Sequence, residues 1–269
     1  MFTDSRCHIN YPQYLADLPK LLADMQTAQV TRALCISTTM EEFPSVQALA
    51  VKYDNFWASV GVHPDSENVH EPSVAELVLA SAMPKVVAIG ETGLDYYQMA
   101  ERKGGRSIAD MAWQRERFRT HIRAARQTGL PLVIHTRASS ADTLAILREE
   151  GEDGSAGSVG GVFHCFTETP EVARAALDLG FYVSLSGIVT FKNATDVHAV
   201  ARLVPEDRML IETDSPYLAP VPYRGKINTP AYVPYVAARI AELRGVPLEH
   251  VAAATSTNFN RLFTRAIDA

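Results

Sequence analysis

Cysteine is scarce in this chain: Cys7, Cys35 and Cys165 are scattered, odd in number and without a paired spacing. They read as reduced thiols rather than a disulfide framework, which points to a cytoplasmic setting. Long apolar runs are missing as well, since none approaches the roughly 18 residues that a membrane span needs. The opening Met-Phe-Thr-Asp-Ser-Arg has neither the basic region nor the apolar stretch of a signal peptide. No membrane association is expected. Positive charge is also short: 25 Lys and Arg against 31 Asp and Glu give a net charge of −6, which argues against broad attraction to nucleic acid. A bound divalent ion softens that objection, because it adds two positive charges where they matter. No glycine-rich phosphate loop follows the first apolar segment, and no G-x-S-x-G elbow is present. Those absences exclude an open dinucleotide-binding sheet and a serine hydrolase of the elbow type.

What is present is an ordinary globular composition, 47% hydrophobic over 269 residues, enough for one sizeable core. The stretch 101–126 runs against the average charge, with Arg102, Lys103, Arg106, Arg115, Arg117, Arg119, Arg123 and Arg126 facing Glu101, Asp110 and Glu116. It reads as a solvated helix face, or alternatively as a basic surface. Strand signals recur near 2–4, 32–37, 56–62, 86–91, 131–135, 161–164, 181–186 and 209–213. Between them lie amphipathic segments such as Tyr14–Ala28, with Leu15, Leu18, Leu21, Leu22 and Met25 on one stripe. Similar segments are Ala112–Thr128, Ala141–Glu150, Pro170–Leu179, Ala194–Leu203 and the helical stretch Pro234–Phe263. Eight strand–helix units predict an α/β protein, a single-domain (β/α)8 barrel of the TIM type. Residues 95–110 form a polar excursion placed to overhang the mouth, and 151–160 read as a flexible connector.

The strands end on potential metal ligands. The first leads to His8, the fourth to Glu91, the fifth to His135, the sixth to His164 and the eighth through Glu212 to Asp214; the third ends at His63. Any one of these alone reads as a satisfied core residue. Five at successive strand ends of a barrel point to a metal site at its mouth. Imidazoles and carboxylates suit zinc, manganese or, less comfortably, magnesium. Cys7 and Cys165 lie beside ligands but on opposite strand faces, so they are expected to pack rather than bind metal. Tyr96, Tyr97 and Tyr217 are candidates for stacking on bases, or ordinary half-buried tyrosines.

The segments DSRCHIN (4–10), GVHP (61–64), GETGLDYY (90–97), PLVIHTR (131–137), GVFHCF (161–166) and ETDSPYLAPVPYRGK (212–226) resemble the TatD family of metal-dependent deoxyribonucleases, within the amidohydrolase-like barrels. The resemblance runs to TSTNFNRLF (255–263), nearly the whole chain. It implies one or two divalent ions (Zn, Mn or Mg) and hydrolysis of phosphodiester bonds in DNA, often from the 3′ end. By that resemblance the metal ligands are His8, Glu91, His135, His164 and Asp214. Glu91 bridges two ions, and Asp214 accepts a proton from the attacking water. Glu212 binds a further ion or tunes Asp214, while His63 and Arg137 contact substrate phosphate. DNA or another nucleic acid is the implied partner, and nothing signals an obligate protein partner.

One position departs from the pattern. The family motif at 4–10 is close to D-S-H-C-H-L-D, whereas this chain carries Arg6 and Asn10. Arginine stays protonated and has no lone pair for a metal. A cation about 4 Å from an ion costs roughly 4 kcal/mol per unit charge pair at an effective dielectric near 20. Three outcomes are open: a single ion with Arg6 as a phosphate clamp, a binding protein without turnover, or a variant of a complete enzyme. The competing activities are hydrolysis of a misattached D-amino acid from transfer RNA, of another ester or amide, or non-catalytic nucleic-acid binding, since fold alone does not choose.

Overall fold

The expected apolar segments become eight parallel strands in the computed structural model, which describes residues 1–97 and 105–267. These are β1 (Phe2–Cys7), β2 (Val30–Cys35), β3 (Phe56–Val60), β4 (Val86–Asp95), β5 (Leu132–Arg137), β6 (Gly161–Phe163), β7 (Tyr182–Leu185) and β8 (Met209–Ile211). They pair in chain order, each parallel to the next. The ring is completed beyond the regular ladder. Asp214 N donates to Arg6 O at 3.2 Å and His8 N to Ser215 O at 3.0 Å. Asp4 reinforces the seam by accepting from Thr213 N at 3.0 Å and from the Thr213 hydroxyl. This is the predicted barrel.

Helices α1 (Pro12–Leu15), α2 (Leu18–Thr27), α3 (Phe43–Lys52), α4 (Val74–Ser81), α5 (Ala112–Thr128), α6 (Ser140–Glu149), α7 (Pro170–Asp178), α8 (Thr195–Leu203), α9 (Val233–Arg244) and α10 (Leu248–Leu262) cover the outside. The single stripe expected over Tyr14–Ala28 is cut in two at Asp17, whose carboxylate accepts from Lys20 N and caps α2. Helices α3 and α4 lacked a strong sequence signal; α4 is announced by a capping box of Ser73 and Glu76.

Side chains fill the barrel in layers. Lowest are Trp57, Val87, Val133, Val162, Tyr182 and Leu210, with Phe259 and Phe263 packed into the same cluster. Two residues further along come hydroxyls: Ser59 accepts from Ser37 N, and Ser5 Oγ lies 3.1 Å from Ser184 Oγ across β8. Above them stand Glu91, His135, His164 and Glu212, the charged layer at the mouth. Strict alternation fails in β1, where the register shifts between Asp4 and Cys7. Ser5 and Arg6 therefore both serve the interior.

One expectation is corrected and another falls partly outside the described residues. The connector 151–160 is tied down rather than flexible, because the buried Glu152 carboxylate accepts from Val159 N and Gly160 N, each at 2.9 Å, and pairs with Arg126. Within the excursion 95–110, residues 98–104 lie outside the described residues, and with them Glu101, Arg102 and Lys103.

His121 of α5 fixes the segment that carries His63. Its Nδ1–H donates to Arg117 O at 2.8 Å, and its Nε2 lone pair accepts from Val62 N at 3.0 Å. Burial lowers its pKa from 6.5 to about 4. Between those values the unfolded chain takes up a proton that the folded chain refuses, so stability is intact above pH 6.5 and declines as pH falls toward 4. The loss amounts to about 3 kcal/mol at most. Urea unfolding from pH 7 to pH 4 should show a shallower decline in His121→Gln than in the parent; identical slopes would contradict this role.

Candidate metal centre

The site is built around one carboxylate, Glu91, which is wholly buried. Glycines make its placement possible. A Cβ at Gly61 would lie 2.5 Å from Gly90 C, and one at Gly93, where φ is +128°, would lie 2.0 Å from His135 O. Strands β3, β4 and β5 thus crowd together where Glu91 turns inward.

The two oxygens of Glu91 serve different neighbours. Oε1 lies 2.8 Å from His164 Nε2, 3.2 Å from His135 Nδ1 and 3.3 Å from His63 Nε2. Oε2 pairs with Arg6 Nη2, whose companion Nη1 pairs with Asp214 Oδ1. The Arg6 side chain is 5% exposed, so this ion pair is shielded from water. Burial raises the Glu91 pKa, but Arg6, His164 and His63 outweigh it and hold the carboxyl well below its usual range. His8 lies in the same cavity, its ring stacked on Tyr11 with centroids 4.9 Å apart. Burial and then Arg6 keep its pKa well below 6.5.

Outer partners set which ring nitrogen faces inward. His164 Nδ1 is 3.2 Å from Glu212 Oε1, and His135 Nε2 is 3.3 Å from Asp95 Oδ2. A carboxylate only accepts, so the outer nitrogen keeps its hydrogen toward Glu212 or Asp95, and the inner one, which faces Glu91 Oε1, is the nitrogen that a metal ion would take over. His63 is reversed. Its Nδ1 accepts from Asp65 N at 3.0 Å, which leaves the Nε2–H pointing at Glu91. Two imidazoles thus turn toward Glu91 a nitrogen that an ion could take over by displacing its proton, and a third presents a donor. Glu91 draws a proton toward His164, raising its pKa against the effect of burial. His63, Glu91 and His135 bring ligand atoms within 4.8 Å of one another. His164 Nε2 stands 2.8 Å from the same Glu91 oxygen, and with His63 turned as a donor the set that fits a divalent ion on the Oε1 side is Glu91, His135 and His164. On the Oε2 side a guanidinium already neutralises Glu91 and Asp214.

The cavity above these groups has a volume of about 580 Å³ and includes Tyr11, Thr38, Arg137, Cys165 and Tyr217 in its lining. Cys165 is thus at the mouth rather than in the packing where it was expected, whereas Cys7 is buried in the outer core. Arg137 pairs with Asp95, Nη2 to Oδ2 at 2.6 Å, and lies over the Tyr97 ring. Tyr96 does not offer a stacking face: it is buried, with its hydroxyl on Asp142. Tyr97 and Tyr217 are exposed. Asp95 was not singled out in the sequence, although its place four residues after Glu91 on one strand was visible there.

The profile described as TatD related DNase matches residues 3–264. The chain belongs to this family. It is 46% identical over 264 residues to YcfH of Escherichia coli K12, an uncharacterized metal-dependent hydrolase, covering 97% of this chain and 94% of that one. It is 32% identical over 269 residues to the 3′-5′ ssDNA/RNA exonuclease TatD of Cronobacter sakazakii, covering 97% of each. Among solved structures, the TatD homologue YJJV of Escherichia coli superposes with a TM-score of 0.87 at 27% identity, over 98% of both chains.

Removing Arg6 strands two buried carboxylates. Arg6→Met should destabilise the metal-free protein by about 3–5 kcal/mol in denaturant unfolding, with Arg6→Lys recovering part of it. An unchanged midpoint in Arg6→Met would show that the ion pair contributes nothing.

Proposed function

We propose that this chain is a metal-dependent phosphodiesterase that shortens DNA or RNA strands from the 3′ end. The observation that carries this reading is the convergence of three imidazoles within 3.3 Å of one buried carboxylate oxygen, two of them backed by an outer carboxylate. Glu91, His135 and His164 would hold a divalent ion, with zinc or manganese suiting the mixed nitrogen and oxygen donors. When bound, such an ion acidifies a water molecule and stabilises the charge that develops on a phosphate.

The remaining roles fall to the protein's own groups. Glu212 and Asp95 keep the His164 and His135 rings oriented. The Nε2–H of His63 is a donor suited to a phosphate oxygen. Asp214 accepts the proton of the attacking water, and His8 sits beside it against Tyr11 and Tyr217. Arg137 provides a cation at the rim for the next phosphate along the strand. The exposed ring of Tyr217 gives a terminal base a surface to stack on.

The alternative of a non-catalytic nucleic-acid-binding barrel has less support. In the described part of the basic stretch, Arg106 meets Glu67, Arg117 meets Glu71, Arg119 meets Glu149, Arg123 meets Glu150 and Arg126 meets Glu152. Arg115 bonds to Ile108 O and the Tyr96 hydroxyl. That face is largely neutralised. Among the described residues no helix is long and apolar enough to cross a membrane; together with the free thiols this supports a cytoplasmic setting.

A 3′-labelled single-stranded DNA, a duplex and an aminoacylated RNA, each with manganese, zinc or chelator, provide the test. Single-strand cleavage should require metal, and Glu91→Gln or His135→Ala should lower it by about 10³-fold or more. Asp95→Asn should weaken metal affinity by about 10–100-fold through loss of orientation. Cleavage of the aminoacyl ester alone would overturn the nuclease reading, as would equal DNA cleavage in chelator.

A further inference from the structure

Glu91 divides its charge between two cation positions that share one buried wall. On its Oε1 side stand His63, His135 and His164. On its Oε2 side stands the Arg6 guanidinium, held between Glu91 and Asp214. The second position has the makings of an ion site, with two carboxylates and an adjacent imidazole, His8, whose Nδ1 makes no hydrogen bond. Its cation is supplied by the chain instead.

We propose that the Arg6 guanidinium is a tethered substitute for a second metal ion, so that the protein binds one divalent ion per chain and not two. The proposal rests on the metal-dependent reading above and deepens it. A guanidinium at this place neutralises Glu91 and Asp214 without any dependence on metal concentration. It also bars a divalent ion, since a fixed unit charge within about 4 Å opposes an incoming ion by several kcal/mol even at an effective dielectric near 20. Unlike an ion, it has no coordination position for water. Glu91, His135 and His164 would hold the single ion, which would supply water activation, and Arg6 acts as a positioning residue that keeps Glu91 and Asp214 charged and in place. Asp214 then serves the guanidinium rather than an ion, which separates its role from that of His135.

The test is a count of bound metal, by elemental analysis and native mass spectrometry, on full-length protein dialysed against manganese or zinc. The expected counts are one ion per chain in the parent, two in Arg6→His, one in Asp214→Asn and none in His135→Ala. Circular dichroism checks that each variant is folded. If Arg6→His fails to fold, the parent and Asp214→Asn counts still decide. Two ions in the parent, one in a folded Arg6→His, or a loss of the ion in Asp214→Asn would overturn the substitution while leaving the metal-dependent reading intact. No ion in either the parent or Arg6→His would overturn both.

Discussion

The structure turns on one buried ion pair, Arg6 with Glu91, and on the fact that Glu91 has a second oxygen to spend elsewhere. Taking a guanidinium and a carboxylate out of water carries a desolvation cost of several kcal/mol per ion, which mutual attraction recovers only with good geometry and further hydrogen bonds. Here the recovery comes from Asp214 on one side and three imidazoles on the other. An apolar core of the same volume would be at least as stable. A charged cluster at this place is therefore better explained by chemistry at the mouth than by stability.

The barrel makes that cluster tolerable. Apolar side chains fill its lower half, hydroxyls of Ser5, Ser59 and Ser184 form an intermediate layer, and ionised groups are confined to the end that opens on solvent. The seam between β1 and β8 lies directly under the site, with Asp4 bonded to Thr213 and Arg6 O to Asp214 N. The contacts that close the ring thus also fix the distance between Arg6 and Asp214. Outer carboxylates complete the design: Glu212 and Asp95 decide which nitrogen of His164 and His135 faces the centre, and Asp65 N decides it in the opposite sense for His63.

Much of this was legible in the sequence because barrel strands announce themselves twice, by an apolar run and by the polar residue at its end. All eight strands were found where such runs stood, and His8, Glu91, His135, His164 and Asp214 do converge on one cavity. What periodicity missed has local causes. Asp17 stops one helix and starts another, the register shift in β1 puts both Ser5 and Arg6 inside, and Glu152 pins a glycine-rich segment that composition alone marks as loose. Tyr96 looked like a stacking surface until Asp142 and Arg115 claimed its hydroxyl. The orientations of the three histidine rings depend on contacts between residues 2 to 48 positions apart, and no linear pattern encodes them. The consequence of Arg6 was likewise open in the sequence, since only the fold reveals that its guanidinium reaches Glu91 and Asp214 together.

The most direct test of this account is anomalous diffraction from crystals of the protein grown with manganese or zinc. The account predicts a single peak at the barrel mouth, within bonding distance of Glu91 Oε1, His135 Nδ1 and His164 Nε2, with the Arg6 guanidinium still seated on Glu91 and Asp214. A second peak between Glu91 and Asp214, with Arg6 displaced from both, would contradict it.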